Sequence, residues 1–415
     1  MRTGRPWNLV AVVALLALVG GSALVTTSLS SASGQATGVA PAVQPDHDVS
    51  WVTSGITIHA SYRAPANGAT GVPAALIIGG TGDVDRDGNS PLLPGVDMDV
   101  YRWLADRLSA LGVASLRYDK VGTGATGLGP YASDPLPLLG MSYDQLRIQP
   151  ARDGLRFLAQ QQGVDPARLI LIGHSEGGAV AMQLVTHLEG APMPAGLALL
   201  EPSYSRILDV VGRQLADQMQ SAVQEAAMTA DDASTLTDWM QDGTAEIRAG
   251  AAPYPAPGPV PLPGATDFTA TMQTTIEDNI YGSDPAQMVL THSFRTRYGK
   301  EFDEIDGPDL VPSIAIPALV TCGTKDFNTP CVPGGPVGSG VSALAASFRP
   351  GVAQFVTAPN MVHILRDVGV DDPTSLADQA KYPFSEVFAN AFDAFVASFV
   401  PTAATPLTVT PNFTG

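Results

Sequence analysis

The run ARLILIGHSEGGAVAMQLVTHL, from Ala167 to Leu188, constrains the fold of this chain more than any other stretch. It opens as a continuous apolar segment of strand length, which suits a strand buried on both faces. It closes as a helix. Between the two lies Gly173-His174-Ser175-Glu176-Gly177, a G-x-S-x-G pattern followed by Gly178. Small residues on either side of a serine let strand and helix approach closely, so the hydroxyl projects from a tight turn. The new helix points its unpaired N–H groups at the same spot, where they favour negative charge. The pentapeptide alone occurs by chance, and the strand before and helix after make it specific. A glycine-rich turn holding an ordinary serine is the bland alternative.

The rest of the chain supplies the frame. VPAALIIGG and VASLRYDK read as buried strands separated by the helix VYRWLADRLSALG. SYDQLRIQPARDGLRFLAQQQ reads as helical, with Pro150 starting or bending it. AGLALLEP, IPALVTCGTKD and VAQFVTAPN add three short strands, and SEVFANAFDAFVASFV closes with a helix. This alternation predicts an α/β fold with a mostly parallel sheet flanked by helices. VSWVTSGITIHASYRAP alternates as an antiparallel pair would. Residues 203–312 hold no convincing buried strand. Leu208, Val211, Leu215 and Met219 share one helix face there, and prolines at every second position run from Pro253 to Pro263. The segment reads as a helical, Pro-rich cap over the ends of the sheet. The expected division is a core of 51–202 and 313–400, this cap, and a loose tail at 401–415.

Composition matters at two points. With 40 acidic against 22 basic residues the net charge is −18, which argues against nucleic acid or an anionic membrane surface as the main partner. The N-terminus places two arginines before 17 uncharged residues, Leu9–Val25, and residues 1–36 read as a secretory signal. An uncleaved anchor is the competing reading, and only then would the chain meet a membrane. Residues 37–50 read as a flexible lead-in. In an exported chain, Cys322 and Cys331 are expected to pair, with two buried free thiols as the alternative.

A serine hydroxyl needs a base beside it, and in this topology the order is serine, acid, histidine. Of six histidines, only His363 follows a late strand, in VTAPNMVHIL. The acid belongs just past the preceding strand, where a carboxylate can hold the imidazole, and Asp326 in IPALVTCGTKDFNTP stands there. Asp303, Asp306 and Asp309 precede that strand and fit less well. A Cys322–Cys331 bridge would staple the two ends of this acid loop. The stretch GGTGDVDRDGNS, Gly79–Ser90, admits three readings. A calcium loop lacks its twelfth-position glutamate, since Pro94 stands there. A phosphate loop lacks its lysine. The remaining reading is a backbone that donates N–H groups to a developing negative charge.

LIIGGTGDVDRDGNS, LRYDKVGTGATG, VDPARLILIGHSEGG and VTCGTKDFNTP, in this order, resemble segments of the α/β-hydrolase superfamily, in particular its serine-aminopeptidase-like and esterase-like branch. The resemblance covers about Ile56 to Val400. It implies an α/β-hydrolase fold, Ser175 as nucleophile, Asp326 as orienting acid and His363 as base. It further implies an oxyanion hole from the backbone N–H groups of Thr81 and Glu176. Asp85, Arg86, Asp87 and Asn89 would form a network that fixes the loop. The sequence departs in carrying GGTG where many relatives have a histidine or serine. The implied activity is cleavage of carboxylic esters through an acyl-enzyme, with no metal or organic cofactor. A peptidase with the same triad and a catalytically silent binding protein on the same scaffold are the alternatives.

Overall fold

The apolar runs become the strands of one eight-stranded sheet. They are β1 (Asp46–Thr53), β2 (Ile56–Arg63), β3 (Val72–Ile78), β4 (Ala114–Tyr118), β5 (Val164–His174), β6 (Gly196–Leu200), β7 (Ala318–Gly323) and β8 (Ala353–Ala358). Their spatial order is β1-β2-β4-β3-β5-β6-β7-β8. β2 runs antiparallel to β1 and β4; the other neighbours are parallel. The structure, a computed structural model, describes residues 43–65, 69–250, 266–281, 293–332 and 340–401. The expected signal, the first part of the lead-in, the proline run and the tail beyond 401 lie outside the described residues.

Burial explains the pattern. Leu169 and Leu171 face one core, while Ile170 and Ile172 face the other, so the second half of β5, residues 169–174, is buried on both sides. α1 (Val100–Ala110) covers the second face, as does the last long helix. α2 (Gln149–Ala159) and α3 (Glu176–Thr186) cover the first. Pro150 lies in the first turn of α2, after a wider π-type turn at Asp144–Ile148. The chain is already helical over 144–148, so the proline sits inside a continuous helical run, where the π-type turn passes into α2 and accommodates its missing N–H.

β1 begins at Asp46, inside the stretch expected to be lead-in. The reason is ionic. Asp46 accepts from Arg63 (2.9 Å) and from the buried Arg117 (2.6 Å), so the strand is held by charge as well as by an apolar face. Ser54 (φ 51°) and Gly55 (φ 79°) form the two-residue turn into β2.

Among the described residues between β6 and β7 there is no strand. The chain forms α4 (Ile207–Gln224), α5 (Ala230–Arg248), α6 (Asp267–Ile276) and α7 (Arg297–Asp303). Thr229, Thr266 and Thr296 cap the last three, each side chain accepting a backbone N–H three residues on. Leu208, Val211, Leu215 and Met219 are buried together in the core that α3 also enters. α8 (Val341–Ala346) and α9 (Glu386–Ala397) complete the chain.

Candidate active site

The turn between β5 and α3 has the shape its glycines predict. Ser175 takes φ 56° and ψ −121°, a conformation that costs an L-residue of order 1–3 kcal/mol. A methyl group on Gly177 would lie 2.1 Å from the Ile78 carbonyl oxygen, and one on Gly173 would lie 2.2 Å from that of Gly177. Only glycine permits β3, β5 and α3 to meet here. Ser175 sits at the carboxyl edge of the sheet and is 4% exposed.

Two other carboxyl-edge loops bring acid and imidazole together. Asp326 follows β7 and His363 follows β8, and His363 Nδ1 lies 2.8 Å from Asp326 Oδ2. The other carboxylate oxygen accepts the N–H groups of Asn328 (2.7 Å) and Thr329 (3.1 Å), and the Thr329 hydroxyl donates to Oδ2 at 2.7 Å. Burial alone would raise the Asp326 pKa. The charge and hydrogen bond of His363, with hydrogen bonds from Glu201 and Thr329, outweigh it and hold the carboxyl well below its usual range.

His363 is tied to the serine turn through His174. The His174 Nε2 lies 2.9 Å from the His363 carbonyl oxygen, and the two rings are 4.9 Å apart between centroids. Among the described residues no hydrogen bond joins the Ser175 hydroxyl to the His363 imidazole. In unliganded sites such contacts are often long and tighten around substrate.

The partners of His174 fix its tautomer. A carbonyl oxygen can only accept, so Nε2 carries the hydrogen. Nδ1 must then accept from the Tyr101 hydroxyl, 3.1 Å away, and that hydroxyl in turn accepts the Gly80 N–H at 2.7 Å. A single directional chain therefore runs from the β3 loop through α1 and the serine turn to His363. Burial and the neighbouring His363 push the His174 pKa down to about 3, so this ring is neutral throughout the physiological range. In the sequence His174 stands only as a member of the G-x-S-x-G turn, and nothing there marks Tyr101.

Gly80 is thereby engaged. Among the described residues no acceptor meets the N–H of Thr81, or that of Glu176 at the first position of α3. The rest of the loop is held by the residues expected to hold it. Asp85 Oδ1 accepts the N–H groups of Asp87 and Asn89 at 2.9 Å. Asn89 Oδ1 accepts those of Met98 and Asp99. Arg86 donates its N–H to Asp119 (2.7 Å), and Asp87 pairs with Arg117 (2.7 Å).

Cys322 and Cys331 form a disulfide that closes the Asp326 loop. Asp303 lies elsewhere, buried between Arg206 (2.7 Å) and Arg248 (2.8 Å) of the cap. One further acid reaches the site, and no sequence signal marked it: Glu201, at the carboxyl end of β6, interacts with the Asp326 carboxyl, and its own pKa is raised while that of Asp326 is lowered. One oxygen of the Glu176 carboxylate, Oε1, accepts from Tyr298 of α7 (2.6 Å) and Arg147 (3.2 Å). Among the described residues no group of His, Cys, Asp and Glu is arranged to hold a metal ion, and no helix is long and apolar enough to cross a membrane.

A sheet of this order, with a serine on the turn after β5, is the α/β-hydrolase fold. No family model matches the chain, and no curated protein does. Solved structures do. Est1E from Butyrivibrio proteoclasticus, determined with ferulic acid bound, is 15% identical over 84% of this chain and 98% of its own, with a TM-score of 0.43. A hypothetical protein from Pseudomonas aeruginosa is 16% identical over 86% and 95%, with a TM-score of 0.46. An esterase from Pyrococcus furiosus is 12% identical over 86% and 90%, with a TM-score of 0.45.

Proposed function

We propose that this chain is an exported serine hydrolase that cleaves carboxylic esters through an acyl-enzyme. The observation that carries the reading is the 2.8 Å contact of His363 Nδ1 with a buried, low-pKa Asp326, on loops that flank the Ser175 turn. With Nδ1–H donated to Asp326, the other ring nitrogen, Nε2, is left as the acceptor for the serine proton. His363 takes that proton as Ser175 Oγ attacks the ester carbonyl. The tetrahedral oxyanion meets the N–H groups of Thr81 and Glu176, each contributing on the order of 3–4 kcal/mol in comparable sites. His363 returns the proton to the leaving alcohol, and water repeats the cycle on the acyl-enzyme.

Export rests on the N-terminal segment and is supported by the disulfide. The test is turnover of p-nitrophenyl esters of graded acyl length beside peptidyl anilides. Ester turnover that Ser175→Ala abolishes is the expected result. Anilide turnover exceeding ester turnover would move the reading to a peptidase. No turnover of either, in a folded protein, would leave a binding scaffold.

A further inference from the structure

The carboxyl end of β6 carries an acid that the hydrolytic cycle does not use. Glu201 has no exposed surface and a backbone at φ 47°, a position an L-residue holds only when its surroundings enforce it. Its Oε2 accepts the Gly323 N–H at 2.8 Å, and the Thr321 hydroxyl lies 3.4 Å from Oε1. Its own N–H donates to the Thr321 carbonyl (3.2 Å), and its carbonyl oxygen lies 3.0 Å from the Thr329 oxygen, whose single proton goes to Asp326. Glu201 is thus built into the exit of β7, with its carboxyl against that of Asp326.

Two carboxylates offer only acceptors, so a hydrogen bond between them requires one proton. Asp326 receives two backbone N–H groups, a hydroxyl and an imidazole N–H, and every one of these favours its ionised form. Glu201 receives a single N–H and a distant hydroxyl in a site closed to water. The proton therefore belongs to Glu201. Burial, then the Asp326 charge, push its pKa well above the ordinary glutamate value. His174 and Tyr204 are the other titratable groups with a charge interaction toward Asp326. His174 is neutral for the reasons above, and burial raises the Tyr204 phenol.

We propose that Glu201 is a neutral carboxylic acid and a positioning residue, whose O–H donates to Asp326 and fixes the rotation that turns Oδ2 toward His363 Nδ1. The catalytic half of this proposal rests on the Ser175–His363–Asp326 reading. The protonation half does not.

The test compares wild type with Glu201→Gln and Glu201→Leu. The Gln amide can donate to Asp326 and accept from Gly323, so its kcat stays within about threefold of wild type. Leu removes the donor, and kcat falls by about 10- to 100-fold with KM little changed. Melting temperature reads the proton. A folded-state pKa raised above 4.5 contributes stability that is present below that pH and lost as pH rises toward the raised value. Gln needs no proton. The Gln variant therefore matches wild type near pH 4 and gains on it steadily up to pH 9. Equal damage to kcat from Gln and Leu, or parallel melting profiles at every pH, would overturn the proposal. A wild type inert to both esters and a fluorophosphonate would overturn the hydrolase reading and this residue's catalytic role, while the melting profiles still decide where the proton sits.

Discussion

Gly173 and Gly177 flank Ser175 at φ 56°, and their neighbours leave no room for a methyl group. Gly177→Ala would drive a carbon into the Ile78 carbonyl, and the elbow would have to open. Loss of ester hydrolysis, with a fall in melting temperature matching about 3 kcal/mol or more, is the expected outcome. Tyr101→Phe tests the hydrogen-bond chain. It leaves the Gly80 N–H and His174 Nδ1 without partners in a dry site, which costs about 1–3 kcal/mol by urea unfolding. A Phe variant as stable as wild type would mean that the chain is incidental. At this scale the sequence was most legible where a local motif exists. The Ser175 turn has one, because its chemistry is contiguous. Tyr101, His174 and Glu201 have none. Their partners lie 73, 189 and 122 residues away, and nothing local distinguishes a buried hydrogen-bonded acid from a surface one.

At the level of elements, the Asp326 loop leaves β7 and is closed by Cys322–Cys331. Replacing both cysteines by serine frees a loop of separation 9, worth about 2.5–3 kcal/mol in the chain-entropy picture. Melting temperature should fall accordingly and kcat should drop, since the acid would no longer be held. Unchanged kcat in the reduced or Ser variant would show that Thr329 and Glu201 suffice. The cap is tied to the core where Tyr298 of α7 donates to Glu176, with the Arg147 guanidinium 5.0 Å from the Tyr298 ring. Strand and helix order was readable because buried parallel strands are unbroken apolar runs. The true start of β1 was not, because ion pairs to Arg63 and Arg117 hold Asp46 in place, and charge leaves no period-2 trace.

Across the whole molecule, 40 acidic residues against 22 basic make proton linkage a global property. Asp46, Asp87 and Asp326 are each held below the ordinary carboxylate value. In every case burial opposes the shift and arginine or histidine partners outweigh it. A depressed carboxylate contributes stability that is present above about pH 3.8 and lost as pH falls. Glu201 and Asp85, both raised chiefly by burial, act in the opposite sense. Urea midpoints should therefore fall steeply below pH 4. Asp46→Asn should flatten that fall and lower stability at pH 7, because Arg63 and Arg117 would lose a charged partner in a buried site. A variant with the wild-type pH profile would show that the pair of arginines is satisfied without Asp46.

The central claim, that Ser175 is a nucleophile activated by His363 and Asp326, is tested most directly by fluorophosphonate labelling followed by mass spectrometry of the digested protein. One adduct per chain on the peptide bearing Ser175, absent from a folded Ser175→Ala variant whose ester turnover is lost by at least about a thousandfold, is the predicted result. An adduct on another residue, or a Ser175→Ala protein that hydrolyses esters at the wild-type rate, would contradict it.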